Sequence, residues 1–219
     1  VVAYDAHGSM FASRLWWMLR WIGHRGVAVL DGGMQAWTAA GGELTTDVIR
    51  RQRGSVTLQA SLTSTVSADD VLANLSAKAR TVLDARANDR FRGENETIDP
   101  VAGHIPGAVN LREIFTFLAS STVEGLAELK STFVKHFGDI GLSGAETAVL
   151  YEDSLNSGYG QSCRGYYLLT WLGYPKVHVL NGGYSAWKAA GMPVSTEAVA
   201  SSKMRMRGLM SKARAMEMR

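Results

Sequence analysis

Short apolar runs alternate along this chain with longer segments whose apolar residues recur at helical spacing. Runs of about four apolar residues, which are typical of buried strands, lie at 1–4, 27–30, 81–84, 148–151 and 177–180, with a shorter one at 107–110. Segments with helical spacing lie at 13–22, 34–40, 68–75 and 126–137, and another starts near Cys163. Because strands and helices alternate, we predict an α/β fold with a parallel sheet flanked by helices.

One stretch of this pattern occurs twice, at 1–41 and at 148–191. From Arg14 onwards the two copies align at a constant offset of 150, so that Arg14 matches Arg164. Upstream of Arg14 the offset is 147, which leaves the loop of the second copy three residues longer. An internal repeat determines the architecture, so we expect two related structural units.

The loop that follows the strand at 148–151 is where we expect chemistry. Ligands of open parallel sheets bind where strands end and loops lead into helix N-termini. The candidate residues of this active-site loop are Glu152, Asp153, Ser154, Ser157, Gly158 and Arg164. Cys163, the only cysteine, lies at the far end of the loop, where a helix N-terminus and the neighbouring arginine would lower its pKa. Two interpretations of Cys163 stay open, a reactive catalytic thiol and a packed, inert one.

Composition and charge narrow the classes of partner. The net charge of +3 is small, and basic residues cluster at 50–53 and in the Met-rich tail, where solvated charge is preferred over nucleic-acid binding. The tail predicts either a basic amphipathic helix or a frayed segment. No apolar run is long enough for a membrane span, and a single cysteine suits a reducing compartment, so we predict a cytoplasmic protein without membrane contact. Neither metal ligands at a suitable spacing nor a nucleotide-binding glycine motif is present, so no metal and no cofactor is predicted.

Several short motifs occur in a characteristic order. They are Leu83-Asp84-Ala85-Arg86, Arg90-Phe91-Arg92-Gly93, GHIPGAVN at 103–110, and the turns LDGG and LNGG, each followed shortly by Ala-Trp. With these motifs the chain resembles the tandem rhodanese-type sulfurtransferases, the thiosulfate and 3-mercaptopyruvate enzymes. The resemblance implies the C-terminal half of a first rhodanese-like domain at 1–44, a linker at 45–64, a complete second domain at 65–197 and a basic tail at 198–219. It also implies that the first domain needs a further stretch upstream of residue 1.

The resemblance further implies a chemistry that uses no cofactor. In such enzymes a cysteine thiolate takes a sulfane sulfur from a small anionic donor, thiosulfate or 3-mercaptopyruvate. The resulting persulfide then passes the sulfur to a thiol or to cyanide. Arg86 and Arg90 match the substrate-binding arginines of the family. From the residues alone, ion pairs with Asp84, Asp89 or Glu94 are an equal alternative.

One position departs from the family pattern. In the active members the cysteine directly follows the aromatic end of the strand, whereas here Tyr151 is followed by Glu152, and the first copy has Asp5 in the equivalent place. A carboxylate cannot carry the sulfane sulfur, and its charge opposes an anionic donor. We therefore expect a sulfurtransferase homologue with weak or no conventional turnover. The alternative is a non-catalytic binding or regulatory module.

The strand at 1–4 lacks a predicted neighbour on one side. Exposed strand edges tend to pair with another element or another chain. We therefore expect this half-domain either to pack against the second domain or to form a homo-oligomer.

Overall fold

The structure, a computed structural model, describes residues 1–111, 126–153 and 160–196. Its strands are β1 (Val2–Ala3), β2 (Ala28–Val29), β3 (Thr65–Val66), β4 (Arg80–Asp84), β5 (Val109–Asn110), β6 (Thr147–Tyr151) and β7 (Val177–Leu180). Its helices are α1 (Met10–Trp21), α2 (Gly33–Ala39), α3 (Ala68–Ala77), α4 (Asn88–Phe91), α5 (Leu126–Asp139), α6 (Gln161–Trp171) and α7 (Gly183–Ala189). The strands of the first copy are shorter than the apolar runs predict, but their places along the chain agree.

Strands β3 to β7 form one parallel sheet in the order β3-β7-β6-β4-β5, and β1 and β2 form a separate parallel pair. The predicted α/β fold with a parallel sheet flanked by helices is confirmed. Strands β4 and β6 pair along their length, from Arg80 opposite Thr147 to Asp84 opposite Tyr151. The loops that follow both strands therefore leave the sheet at the same edge, where parallel sheets bind their ligands.

Apolar side chains pack on both faces of the sheet. On one face, Leu150 packs with Phe137 of α5 and Leu169 of α6. On the other face, the neighbouring Val149 packs with Trp187 of α7. Successive side chains of a strand point to opposite faces. Strand β6 is therefore buried on both sides, as expected for a central strand of a parallel sheet.

The first copy is attached to the second through a contact between α1 and α6. The Trp16 ring meets the Tyr167 ring edge to face with centroids 5.1 Å apart, and Trp17 meets Tyr166 in the same way at 6.4 Å. Both tryptophans are buried in the same cluster as Leu150. The first copy thus packs on the second through its helix, and the homo-oligomer stays a prediction.

The two copies differ in burial although their sequences match. Trp187 is fully buried, whereas the equivalent Trp37 is 45% exposed. Val71 of α3 and Val82 of β4, which precede the second copy in the chain, complete the cluster around Trp187. Residues 1–41 contain no counterpart of α3 and β4, so the corresponding face of the first copy is open in the part of the chain that the structure describes.

Candidate active site

The two strand–loop junctions share one backbone geometry. The carbonyl oxygen of Asp5, after β1, accepts a hydrogen bond from the Met34 N–H at 3.0 Å, and that of Glu152, after β6, accepts one from the Tyr184 N–H at 2.7 Å. The glycine before each donor has a positive φ, 56° and 58° respectively. A Cβ on Gly33 would collide with the Asp5 carbonyl oxygen, and a Cβ on Gly183 would collide with the Glu152 carbonyl oxygen. Only glycine therefore fits at either position. Asp5 and Glu152 are therefore structurally equivalent.

Asp5 fills the loop that follows it. Its carboxylate accepts backbone hydrogen bonds from the N–H groups of His7, Ser9, Phe11 and Ala12 at 2.8 to 2.9 Å. Burial by itself would raise the pKa of Asp5, but these four donors outweigh burial and hold the pKa below its ordinary value. The first-copy loop is thus an anion cradle occupied by a side chain of the same chain.

The carboxyl group of Glu152 lies at the start of α6 and has fewer hydrogen-bond donors than that of Asp5. Its Oε2 accepts a hydrogen bond from the Gln161 N–H at 3.1 Å, and its Oε1 accepts one from the Ser162 hydroxyl at 2.8 Å. Burial raises the pKa of Glu152 to about 7, although both donors and the charge of Arg14 act in the opposite direction. This carboxyl group can therefore gain or lose its proton near neutral pH.

Cys163 lies in the hydrophobic core. Its exposed fraction is 1%, and it belongs to the cluster that contains Leu150. Burial, followed by the charge of Glu152, raises the pKa of Cys163 to about 12. The expectation that this pKa would be lowered is wrong, because removal of the thiolate from water outweighs the lowering contributions, which come from Arg14 and Ser162. A catalytic role of Cys163 would need an accessible thiolate, and in this geometry the thiol is buried and its pKa is raised.

Arg86 is bound by carboxylate and carbonyl oxygens of the segment between the two copies. Its Nη2 donates to Asp84 Oδ2 and to the Gly103 carbonyl oxygen, both at 2.7 Å, and its Nε lies 3.1 and 3.2 Å from the two Asp84 oxygens. The guanidinium also lies 3.9 Å from the centroid of the Tyr184 ring. With 1% of its side chain exposed, Arg86 forms the ion pair with Asp84 that the sequence offers as the alternative to substrate binding.

Arg90 is held by three carboxylates. Its Nη1 and Nη2 donate to the two oxygens of Asp153 at 2.7 and 2.8 Å, in the bidentate geometry that gives strong pairs. Its Nε donates to Glu96 at 3.0 Å, and its Nη2 donates to Asp99 at 2.9 Å. None of these partners is among the three that the sequence suggests, because the chain folds back and brings more distant carboxylates to the guanidinium.

A charged cluster therefore stands beside the junction of β6. Lys188 of α7 contacts Asp99 and lies 4.6 Å from the centroid of the Tyr184 ring. The members of this cluster are Arg86, Arg90, Lys188, Asp84, Glu96, Asp99 and Asp153. Sequence reasoning missed Glu96, Asp99 and Lys188. The one signal for the first two is the long, charged segment at 85–106, in which no single position stands out.

The remaining predicted loop residues are placed as follows. Ser154, Ser157 and Gly158 lie outside the described residues. Arg164 faces the loop of the first copy, since a Cβ on Gly8 would lie 3.2 Å from its Nη2. Arg164 also lines a cavity of about 550 Å³ between that loop and α6.

Within residues 1–111, 126–153 and 160–196, no group of three or more His, Cys, Asp and Glu side chains is arranged to hold a metal ion. No helix in the same ranges is long and apolar enough to cross a bilayer.

A parallel sheet whose central strands end in loops at helix N-termini defines a class of α/β domains with sites at that edge. The sequence model of one particular family, the rhodanese-like domain, matches residues 1–40 and 67–190 of the chain. The match covers more than half of the chain, so the chain belongs to the rhodanese-like domain family. The predicted relationship to the sulfurtransferases is confirmed.

Curated relatives carry sulfurtransferase names. A probable 3-mercaptopyruvate sulfurtransferase of Pseudomonas aeruginosa is 49% identical over 109 residues, which cover 49% of this chain and 38% of that protein. A putative thiosulfate sulfurtransferase of Mycobacterium tuberculosis is 38% identical over 164 residues, which cover 68% of this chain and 56% of that protein. The chain thus spans less than two thirds of the length of these relatives.

Solved structures share the fold. The 3-mercaptopyruvate sulfurtransferase SseA of Escherichia coli superimposes with a TM-score of 0.67 at 24% identity, covering 83% of this chain and 65% of that chain. The anaerobic ergothioneine biosynthesis enzyme of Chlorobium limicola superimposes with a TM-score of 0.73 at 19% identity, covering 90% of this chain and 51% of that chain. At these identities the likeness establishes the fold alone.

Proposed function

We propose that this chain is a rhodanese-family sulfurtransferase homologue with weak or no conventional turnover. The reaction of the family would move a sulfane sulfur from thiosulfate or 3-mercaptopyruvate to a thiol or cyanide by way of a cysteine persulfide. The observation that carries the proposal is the pair of carboxylates, Asp5 and Glu152, at the two equivalent junctions. Neither can form a persulfide, and the only thiol of the chain is buried and protonated at neutral pH.

We propose the domain division that the resemblance implies. Residues 1–44 would be the C-terminal half of a first rhodanese-like domain, 45–64 a linker and 65–197 a complete second domain, followed by a basic tail at 198–219. The separate matches at 1–40 and 67–190 support this division. The separate two-stranded and five-stranded sheets support it as well.

Of the two proposed substrate-binding arginines, Arg90 is the better candidate. Its side chain is 11% exposed against 1% for Arg86. Its strongest partner, Asp153, lies beside the junction and holds it in a bidentate pair. An anionic donor would have to replace the Asp153 carboxylate on the guanidinium, which would weaken its binding and agrees with low turnover.

Cyanolysis tests the proposal directly. The purified chain, incubated with thiosulfate or 3-mercaptopyruvate and then with cyanide, should form thiocyanate at no more than the background rate. Glu152→Cys places a thiol at the junction, beside the Gln161 N–H and the start of α6, and should raise product formation above that background. The matched control is Cys163→Ala, which should leave the rate of thiocyanate formation unchanged. Turnover at ordinary enzymatic rates that is lost in Cys163→Ala would overturn the proposal.

A non-catalytic binding or regulatory module is the second candidate. The observation in its favour is the neutralisation of both arginines by carboxylates of the chain itself. Titration calorimetry with thiosulfate separates the candidates when it is combined with the cyanolysis of Glu152→Cys. A variant that stays inactive, and a chain that binds no donor anion, would favour the module.

A further inference from the structure

The contact between α1 and α6 brings the starts of both helices together. Gly160, directly before α6, lies so close to α1 that a Cβ on it would collide with the Met10 carbonyl oxygen. The Gln161 side-chain amide donates to the Met10 sulfur at 2.8 Å. Each helix starts next to the strand–loop junction of its own copy, so each junction also lies near the helix of the other copy.

Arg14 of the first copy lies beside the junction of the second. A Cβ on Gly160 would lie 2.9 Å from the Arg14 Cβ. The residue after Gly160 is Gln161, whose N–H donates to the Glu152 carboxylate. The charge of Arg14 acts on Glu152 and on Cys163, and it lowers the pKa of both.

Arg164 of the second copy occupies the reciprocal place. It is the repeat equivalent of Arg14. Its guanidinium lies against Gly8 in the loop of the first copy. It lines the cavity next to Asp5, together with Tyr167 of the same helix. Arg14 and Arg164 occupy the same position in α1 and α6, and each therefore lies beside the strand–loop region of the other copy.

We propose that the two repeats exchange arginines, and that Arg14 is the positioning residue which sets the charge at the Glu152 junction from the other copy. Arg14 does so from across the α1–α6 contact, whereas Arg164, which is closer to Glu152 in sequence, serves the loop of the first copy. The inference rests on the proposed function in taking the Glu152 junction as the site. It adds that this site is incomplete without the first copy.

The groups around Glu152 determine what Arg14 can do. Arg14 approaches from α1, Asp153 follows in the same loop and opposes ionisation, and Cys163 stands behind on α6. Asp153 is in turn neutralised by Arg90. Arg14 is therefore a cation that favours a negative charge at the junction, whether the charge is a carboxylate or, in Glu152→Cys, a thiolate.

The test measures the ionisation of Glu152 in variants of the full chain. Carbon NMR of ¹³C-glutamate-labelled protein gives the titration of each carboxyl, and Glu152→Gln assigns the signal. Arg14→Met keeps the aliphatic stem against Gly160 and removes the charge, so the pKa of Glu152 should rise by about one pH unit or more. Arg14→Lys should restore most of the wild-type value. Arg14→Gln provides a second neutral variant if Arg14→Met does not fold.

The matched control is Arg164→Met. It removes the equivalent charge from the helix that carries Ser162, and it should leave the Glu152 titration unchanged. An unchanged titration in the neutral Arg14 variants, or a shift in Arg164→Met as large as theirs, would overturn the exchange. The readout does not depend on sulfur transfer, so failure of the exchange and failure of the proposed function are distinguishable.

Discussion

At the scale of single residues, Asp5 and Glu152 share one backbone geometry, but their carboxyl pKa values shift in opposite directions. Asp5 accepts four backbone N–H donors and has a lowered pKa. Glu152 has one backbone donor and one hydroxyl donor, is 4% exposed, and has a pKa of about 7. The number of donors and the depth of burial, rather than the type of acid, decide which carboxyl is ionised at neutral pH.

Glu152 should make stability depend on pH between acid and neutral conditions. Its pKa rises from an ordinary 4.5 to about 7 on folding, so the folded state holds the proton more tightly. The stabilisation is therefore complete below about pH 4.5 and is lost as the pH rises through about 7. Relative to Glu152→Gln, the wild type should lose up to about 3 kcal/mol of unfolding free energy between about pH 5 and about pH 8.

Urea unfolding at both pH values measures this difference. Glu43→Gln changes an exposed carboxyl in the polar segment after α2 and should follow the wild type at both values. A constant difference between the wild type and Glu152→Gln would show that Glu152 titrates as an ordinary carboxyl.

At the scale of elements, the closeness of α1 and α6 depends on a single residue without a side chain. Gly160 lets the Met10 carbonyl oxygen approach the start of α6, and the aromatic contacts of Trp16 and Trp17 follow further along the two helices. This contact joins the repeats and also brings Arg14 to Glu152. One glycine therefore supports both packing and the charge of the site.

Gly160→Ala should force the two helices apart. The new methyl group would collide with backbone and with the Arg14 Cβ, and overpacking of this kind costs about 1–3 kcal/mol. The control is Gly138→Ala in α5, where a Cβ would meet nothing within 4 Å. It should be neutral or should stabilise by about 0.5–1 kcal/mol, because alanine is the better helix former. Equal unfolding free energies for the two variants would contradict the close contact.

At the scale of the whole molecule, the repeats share a sequence pattern but not an environment. In the second copy, the face that carries Trp187 is covered by α3, β4 and their partners, which precede the copy in the chain. The first copy leaves the equivalent face open in the described residues, with Trp37 at 45% and Val2 at 63% exposed. The same residue type thus carries a very different share of stability in the two copies.

Trp187→Ala should destabilise the chain far more than Trp37→Ala. Loss of the buried ring should cost about 3–5 kcal/mol, whereas loss of the exposed one should cost less than about 1 kcal/mol. Chemical unfolding of both variants gives the comparison. Similar losses would indicate that the open face is covered in solution, as in the predicted homo-oligomer, and sedimentation at increasing concentration would then reveal the larger species.

Much of the fold could be predicted because it depends on local patterns. Apolar runs at 148–151 and 177–180 and the helical spacing after them are enough to place β6, β7 and their helices. The site was predicted less completely. The pair of Arg86 with Asp84 joins neighbours in sequence, but Asp153 meets Arg90 across 63 residues, and no local pattern indicates such a contact.

The sequence by itself determined the α/β fold, the family and the carboxylates at both junctions, since these follow from periodicity, repetition and residue type. Only the tertiary structure decided the chemical state of those residues. Cys163 is protonated because the core around it excludes water. Arg90 is neutralised by distant carboxylates. Arg14 and Arg164 each lie at the junction of the other copy because α1 and α6 are in contact at their starts. Burial and long-range contact set these pKa values and pairings, and both arise only when the chain has folded.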